Sequence, residues 1–151
     1  MNKRLSNLSI ILIVLQILLG IGAIFGGIAF IIDPSGELMG MSRSQLEHST
    51  FHNYLIPGIL LICALGIIPF IIASGLLRKW KWKMADRLNI FPDKHWSWTF
   101  SLYSGFELII WITIQIYILN MFSIIHLIYI IFGLTIQVVT LLPKVQKQYS
   151  I

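Results

Sequence analysis

Four long apolar segments constrain this chain more than any other feature of its sequence. They cover residues 8–32, 54–77, 98–119 and 121–142 and hold almost none of the charged side chains. A helix needs about 20 apolar residues to cross the hydrocarbon core of a bilayer. None of the four segments alternates as a transmembrane β-strand does. The sequence therefore predicts an all-α polytopic membrane protein, with four transmembrane helices in a single domain over residues 1–151.

Composition supports this class and excludes several others. The chain is 57% hydrophobic and 11% charged, whereas a soluble domain has about 25% charged residues. A lone cysteine, Cys63, excludes an internal disulfide and a C-x-x-C redox pair. The net charge of +5 comes from basic residues beside the apolar segments. We therefore expect anionic lipid, and no nucleic acid, as the partner of these charges.

The distribution of Lys and Arg predicts the orientation of the chain. Ten of the eleven lie in the N-terminal segment, the connection 78–97 and the C-terminal tail, while the connection 33–53 has only Arg43. Basic residues favour the cytoplasmic side. Both termini and the loop 78–97 are therefore predicted to be cytoplasmic, and 33–53 to be the outer loop. The first segment is too long for a signal peptide, so we interpret it as an uncleaved anchor.

Tryptophans surround the basic connection. Indole rings prefer the headgroup layer of a membrane, so we predict interfacial anchors on the cytoplasmic side. The four residues are Trp80, Trp82, Trp96 and Trp98.

Small residues recur in the first span, where Gly20, Ala23 and Gly27 share a face and Gly22 and Gly26 form a G-x-x-x-G motif nearby, and Gly133 is a further one in the fourth span. Helices in lipid associate through small residues that let their backbones approach, so these positions predict close packing, either inside the bundle or between copies in a homodimer. The set comprises Gly20, Gly22, Ala23, Gly26, Gly27 and Gly133. In the second span, Pro69 removes a backbone donor and predicts a kink near Leu65–Pro69.

Spans three and four are predicted to form a tight antiparallel hairpin, joined by roughly Asn120 alone. Polar residues recur at helical spacing on both spans and meet level by level, with Gln115 opposite His126 as one pair. Gln16 of the first span lies at the depth of the inner pairs. The predicted intramembrane polar seam comprises Gln16, Ser104, Glu107, Trp111, Gln115, His126, Tyr129 and Gln137.

Glu107 is the acidic residue predicted to lie inside a span, about 13 Å from its start at 1.5 Å per residue. A charge at the centre of a membrane helix costs about 2.5–3.5 kcal/mol. We therefore expect Glu107 to face the bundle and to be protonated or hydrogen-bonded. Two interpretations stay open: a neutral carboxyl group that bridges helices, or a functional group that carries a proton or contacts a ligand.

The outer loop holds two histidines one helical turn apart, His48 and His52. Imidazoles can bind a transition metal, but no third ligand is fixed by the sequence, so these residues are only weak candidates. We predict no metal, no cofactor and no catalytic residue, because the sequence lacks a nucleophile–base pair, a nucleotide loop and a strong metal motif.

Three short motifs carry a resemblance to known proteins. They are D-P-S-G at 33–36, Y-L-I-P-G at 54–58 and W-x-x-x-Q at 111–115. Together they resemble a group of small four-span bacterial membrane proteins that has no established activity. The resemblance implies a multi-pass protein of the bacterial cytoplasmic membrane and carries over no catalytic residue.

Three functions compete at this stage. The preferred hypothesis is a non-enzymatic membrane component, such as a subunit, an assembly factor or a lipid-interacting scaffold. The alternative is a small proton-coupled transporter that uses Glu107, although no inverted repeat is visible. The third is an enzyme acting on a lipid head group through His48, His52 or His126, for which no partner triad is evident.

Overall fold

The computed structural model describes residues 5–47 and 49–151, and over these ranges the protein is mostly helical. Within them, four helices are long and apolar enough to cross a membrane. They are Asn7–Ile32, Leu55–Arg78, Trp96–Leu119 and Ile124–Leu141. The predicted all-α architecture with four candidate spans is therefore confirmed.

Shorter elements complete the described chain. In chain order the helices are α1 (Asn7–Ile32), α2 (Leu55–Leu61), α3 (Ile68–Arg78), α4 (Lys83–Arg87), α5 (Trp96–Leu119), α6 (Ile124–Leu141) and α7 (Pro143–Gln148). A π-helical segment, Ile62–Ile67, joins α2 and α3 into one continuous second span. Two 3-10 turns, Glu37–Met39 and Arg43–Leu46, lie in the connection between the first and second spans.

The spans alternate in direction, so the connections gather at two ends of the bundle. One end, which we call the basic end, holds the start of α1 with residues 79–95 and 142–151. The opposite end, which we call the loop end, holds residues 33–54 and 120–123.

The hairpin turn between α5 and α6 is longer than predicted. Asn120, with a φ of 47°, ends α5 in the left-handed region. Helix α6 begins at Ile124, and its N-cap Ser123 accepts a hydrogen bond from the backbone N–H of Ile125 at 3.4 Å. The expectation that Asn120 alone joins the two spans is wrong, because the cap needs extended residues before α6.

The backbones of α1 and the second span approach closely at two levels. A Cβ atom on Gly27 would lie 2.7 Å from the carbonyl oxygen of Gly58. A Cβ atom on Gly20 would lie 2.9 Å from the carbonyl oxygen of Gly66. Real Cβ atoms essentially never come closer than 3.0 Å. The sequence left open whether the small residues pack inside the bundle or between copies of the chain. Gly20 and Gly27 pack inside the bundle.

The distortion of the second span lies where proline predicts it. Pro69 has no N–H group to donate to the carbonyl of Leu65, four residues earlier. The π-helical segment Ile62–Ile67 includes Leu65, ends two residues before Pro69 and widens the helix there. Leu65 on this segment is buried against the centre of the bundle.

Helices α5 and α6 pack at a third pair of glycines. A Cβ atom on Gly105 would lie 2.9 Å from the carbonyl oxygen of Gly133, and one on Gly133 would lie 3.0 Å from that of Gly105. Nearer the basic end, the indole N–H of Trp98 donates a 2.8 Å hydrogen bond to the carbonyl of Thr140. These contacts fit the antiparallel alignment that the polar residues predict.

Tryptophans at the basic end serve two different purposes. Trp80 and Trp82 stack with ring centroids 5.4 Å apart, and Trp96 meets both rings edge-on. The side chains of Trp96 and Trp98 are buried, and the Trp96 indole donates a 2.8 Å hydrogen bond to the Trp80 carbonyl. Contrary to the prediction, Trp96 and Trp98 do not face lipid, because backbone carbonyls inside the bundle accept their N–H groups. Anchoring by Trp80 and Trp82 stays a prediction.

The C-terminal segment is tied into the basic end. The Tyr149 hydroxyl donates a 2.9 Å hydrogen bond to the carbonyl of Leu76, the last turn of α3. Burial raises the pKa of Tyr149 to about 12, so the phenol keeps its proton near neutral pH. The side chain of Gln148 accepts a 3.2 Å hydrogen bond from the hydroxyl of Ser9 on α1. These contacts join α1, α3 and α7.

Gly27→Ala tests the close approach of α1 to the second span. We expect the free energy of unfolding in mixed detergent and SDS to fall by about 1–3 kcal/mol, the usual cost of overpacking. Gly22→Ala is the control on the same helix, because the atom nearest to its added Cβ is the Tyr129 hydroxyl oxygen at 3.7 Å. Its stability should be unchanged or higher, since alanine favours a helix. Equal losses in both variants would contradict the packing.

Candidate functional site

The predicted polar seam is divided into two parts by the structure. Near the basic end, Gln16 of α1 and Ser104 of α5 are buried and hydrogen-bonded to each other. The distance from Gln16 Nε2 to Ser104 Oγ is 2.8 Å, and Oγ lies 3.2 Å from Gln16 Oε1. Oγ is also 2.9 Å from the carbonyl of Ser101. This pair is a polar cross-link between two spans.

Gln137 belongs to this inner part but does not join the pair. Its side chain packs on Gly105, one residue beyond the predicted opposite residue Ser104. The Gln137 Nε2 group is buried without a hydrogen-bond partner among the described residues. A free donor in this position is costly, and the structure offers no physical account of it.

Glu107 lies between the two parts and is half-buried. In residues 5–47 and 49–151, no hydrogen bond or ion pair involves its carboxyl group. It also lines neither of the cavities described below. The expectation of a hydrogen-bonded Glu107 therefore finds no partner in the described chain, and its protonation stays a prediction.

The outer part of the seam lines a cavity of about 510 Å³ between α1 and α6, which we call the α1–α6 cavity. Its deepest residues are apolar and belong to the core, among them Leu65 and Leu108. Phe25 of α1 and Ile125 of α6 also line it, and they are 72% and 57% exposed on the outside of the bundle. The cavity therefore reaches the lateral surface of the bundle in its loop-end half.

The cavity exists because α1 carries glycine on this side. Gly22 and Gly26 both line it, and the nearest atom to a Cβ on Gly26 is a Leu61 methyl carbon at 3.4 Å. Ala23 lies in the same wall. These three residues of the predicted packing face thus border open space, unlike Gly20 and Gly27. The G-x-x-x-G motif identified Gly22 and Gly26 in the sequence, but it did not predict that they border a cavity.

A second cavity of about 230 Å³ lies against the first, between the second span and α5. Pro57 and Leu60 line one side of it, and Ile114 lines the other. Trp111 and Gln115 line both cavities, so their side chains stand in the wall between them. This arrangement places two of the predicted seam residues at the centre of the loop-end half.

Residues 33–54 at the loop end cover these cavities. Tyr54 is buried, stacks on Phe30 with ring centroids 5.0 Å apart, and donates a 3.0 Å hydrogen bond from its hydroxyl to the carbonyl of Ser42. Gly36, with a φ of 86°, lies under the Tyr54 ring, where a Cβ atom would be 2.7 Å from a ring carbon. Asp33 accepts a 2.8 Å hydrogen bond from the backbone N–H of Leu38. The motifs that carry the resemblance therefore meet around one region.

The α6 N-cap fixes the hydrogen-bonding state of His126. The backbone N–H of Ser123 donates a 3.1 Å hydrogen bond to His126 Nδ1. Because Nδ1 accepts, a neutral His126 carries its proton on Nε2. The side chain is buried and lines the α1–α6 cavity. One helical turn further, Tyr129 lines the same cavity with its hydroxyl oxygen facing Gly22 of α1.

Few of the described residues could take part in catalysis or bind a metal ion. His48 lies outside the described residues, and His52 is exposed. No group of three or more His, Cys, Asp or Glu side chains close enough to hold a metal ion occurs in the described ranges. The described residues that line the α1–α6 cavity include no carboxylate, and Ser123, which also lines it, accepts the backbone N–H of Ile125. The His126 ring and the Ser123 hydroxyl therefore both take part in the α6 cap.

Comparison with known proteins yields no match: no protein family, curated protein or solved structure is similar enough to this chain to assign it. The resemblance to small four-span bacterial membrane proteins therefore stays a prediction.

The Gln16–Ser104 pair can be measured by a double-mutant cycle. We expect Gln16→Leu and Ser104→Ala, singly and together, to show a coupling energy of about 0.6–1.7 kcal/mol in unfolding, the range of hydrogen bonds between membrane helices. Glu107→Gln is the control on α5, and its free energy of unfolding should change by less than about 0.5 kcal/mol, because no hydrogen bond is lost. A coupling energy near zero would contradict the cross-link.

Proposed function

We propose that this protein is a non-enzymatic component of the bacterial cytoplasmic membrane that binds a lipid tail in the α1–α6 cavity. The single observation behind this proposal is a largely apolar cavity of about 510 Å³ that reaches the lateral surface of the bundle. This volume is within the range of about 300–1,000 Å³ for ligand sites. An empty cavity loses packing contacts along its walls, and in a bilayer lipid chains are the nearest molecules to fill it.

The position of the cavity supports a lipid more than a water-soluble ligand. It lies in the loop-end half of the four candidate spans, with Met39 and Met41 of the outer loop over it. Its lateral opening lies between Phe25 and Ile125, two apolar residues on the surface that would face acyl chains. A lipid would enter sideways without leaving the bilayer.

The orientation is part of the proposal. The basic end carries the Lys and Arg residues that favour the cytoplasmic side, so the loop end and the cavity lie in the outer leaflet. The basic residues beside Trp80 and Trp82 are proposed to contact anionic lipid in the inner leaflet.

The proton-coupled transporter receives no support from the geometry. Glu107, on which that function depends, lines neither cavity and makes no hydrogen bond within the described residues. The lipid-binding function uses the outer seam residues and does not depend on the protonation of Glu107.

Filling the cavity should strongly reduce the amount of lipid that the protein retains. Gly22→Phe places a ring in the α1–α6 cavity, and we expect the amount of lipid that copurifies in mild detergent to fall about tenfold, a loss of about 1.4 kcal/mol in binding. Native mass spectrometry measures the bound lipid. The control is Ile21→Phe, since Ile21 is exposed on the outside of the same helix.

The control variant should retain as much lipid as the wild type. If Gly22→Phe also retains it while its thermal unfolding is unchanged, the cavity does not bind lipid. Equal loss in both variants would indicate a general effect of an added ring on α1 and would contradict the proposal as well.

Cysteine labelling tests the orientation. In a Cys63→Ser background, a membrane-impermeant maleimide should label Leu38→Cys in intact cells and should label Lys81→Cys only after the cells are opened. Leu38 is exposed at the loop end and Lys81 is exposed at the basic end, so both thiols are accessible to the reagent on their own sides. Labelling of Lys81→Cys in intact cells would reverse the orientation.

A further inference from the structure

Besides the capping Ser123, four polar side chains line the α1–α6 cavity without using all their hydrogen-bond donors inside the protein. Among the described residues, no hydrogen bond is made by the Trp111 indole, the Gln115 amide or the Tyr129 hydroxyl. His126 uses only Nδ1, which leaves Nε2–H without a protein partner. These donors face the cavity, and within a lipid layer a donor without a partner costs free energy, so a ligand that accepts hydrogen bonds would be stabilised here.

These donors point to an oxygen acceptor rather than to another donor. The indole N–H of Trp111 can only donate, and the α6 cap makes His126 Nε2 a donor as well. The Tyr129 hydroxyl and the Gln115 amide can also donate. The complementary ligand group is therefore an oxygen atom with free lone pairs.

The absence of charged side chains from the described lining further restricts the chemical class of the ligand. The described residues that line the α1–α6 cavity include no Lys, Arg, Asp or Glu. A phosphate or an ionised carboxylate would bury its charge here without a counter-charge, which is costly. A neutral carbonyl oxygen accepts the same hydrogen bonds without that cost.

The donors occur at two depths. Because Gly105 and Ile109 pack on Gly133, the antiparallel alignment places Trp111 near the level of Tyr129. Gln115 then lies near the level of His126, about one helical turn or 5.4 Å closer to the loop end. A head group with carbonyl oxygens on two opposite edges would reach donors at both levels.

We propose that the α1–α6 cavity binds a neutral lipid whose head group presents carbonyl oxygens to Trp111, Gln115, His126 and Tyr129, with its tail between α1 and α6. This assignment rests on the proposed lipid-binding function. Isoprenoid quinones and acylglycerol esters share the required chemistry. The two donor levels favour a quinone, which has two opposed carbonyl groups.

A competition experiment separates the head group from the tail. The purified protein in detergent is loaded with a nitroxide-labelled hydrocarbon, and the immobilised fraction is followed by electron paramagnetic resonance. The competitors are hexadecane, which has only a tail, decylubiquinone, which has a quinone head, and monoolein, which has an ester. We expect decylubiquinone to displace the probe at a concentration about tenfold lower than hexadecane, the factor that about one net hydrogen bond provides.

Tyr129→Phe removes one donor and keeps the ring. It should weaken displacement by decylubiquinone about five- to tenfold and leave displacement by hexadecane unchanged. Tyr117→Phe is the matched control, because Tyr117 is 84% exposed on the outside of α5. It should change neither competitor.

The outcomes distinguish this inference from the proposed function. If monoolein competes better than decylubiquinone and depends on Tyr129, the carbonyl site is supported and the ester is its source. Equal displacement by all three competitors overturns the head-group site and leaves tail binding intact. If the wild-type protein immobilises no probe, both proposals are overturned.

Discussion

The close contact of glycine backbones is the interaction on which this structure depends. Gly27 meets Gly58, and Gly105 meets Gly133, at distances that exclude any Cβ atom. In a bilayer, hydrophobic burial does not drive helices together, so association depends on such packing and on polar contacts. The bundle is thus two tightly packed pairs, α1 with the second span and α5 with α6.

The two pairs are held together unevenly, and this produces the site. Toward the basic end, the Gln16–Ser104 hydrogen bonds, the buried Trp96 and the Tyr149–Leu76 hydrogen bond join one pair to the other. Toward the loop end, α1 presents Gly22 and Gly26 instead, and space remains between α1 and α6. The same residue type therefore closes one side of α1 and opens the other.

Much of the fold could be predicted from the sequence because a membrane span has a strong signal in length and composition. The π-helical distortion could be anticipated from Pro69, since a missing N–H has a local effect. The start of α6 could not, because its cap depends on Ser123 and His126 together. Trp96 and Trp98 also could not be placed, since their burial depends on carbonyl partners distant in sequence.

The residues of the candidate site could be predicted from the sequence. Their separation into a hydrogen-bonded pair near the basic end and a cavity in the loop-end half could not. Helical spacing grouped Trp111, Gln115, His126 and Tyr129, and all four line one cavity. The same spacing added Gln16 and Ser104, but these two side chains hydrogen-bond to each other between α1 and α5. Periodicity gives the direction of a side chain but not the distance to the next helix, so empty space is not visible in it.

The shared position of Trp111 links two faces of the protein that would otherwise be independent. Its side chain is a partition between the two cavities, one reached from the α1–α6 side and the other from the side of the second span. Phe30, Met41, Leu61 and Gln115 border both cavities with it, so the space on the two sides of this wall is set by the same five side chains. An occupant on one flank of the bundle would then restrict what the opposite flank can accommodate.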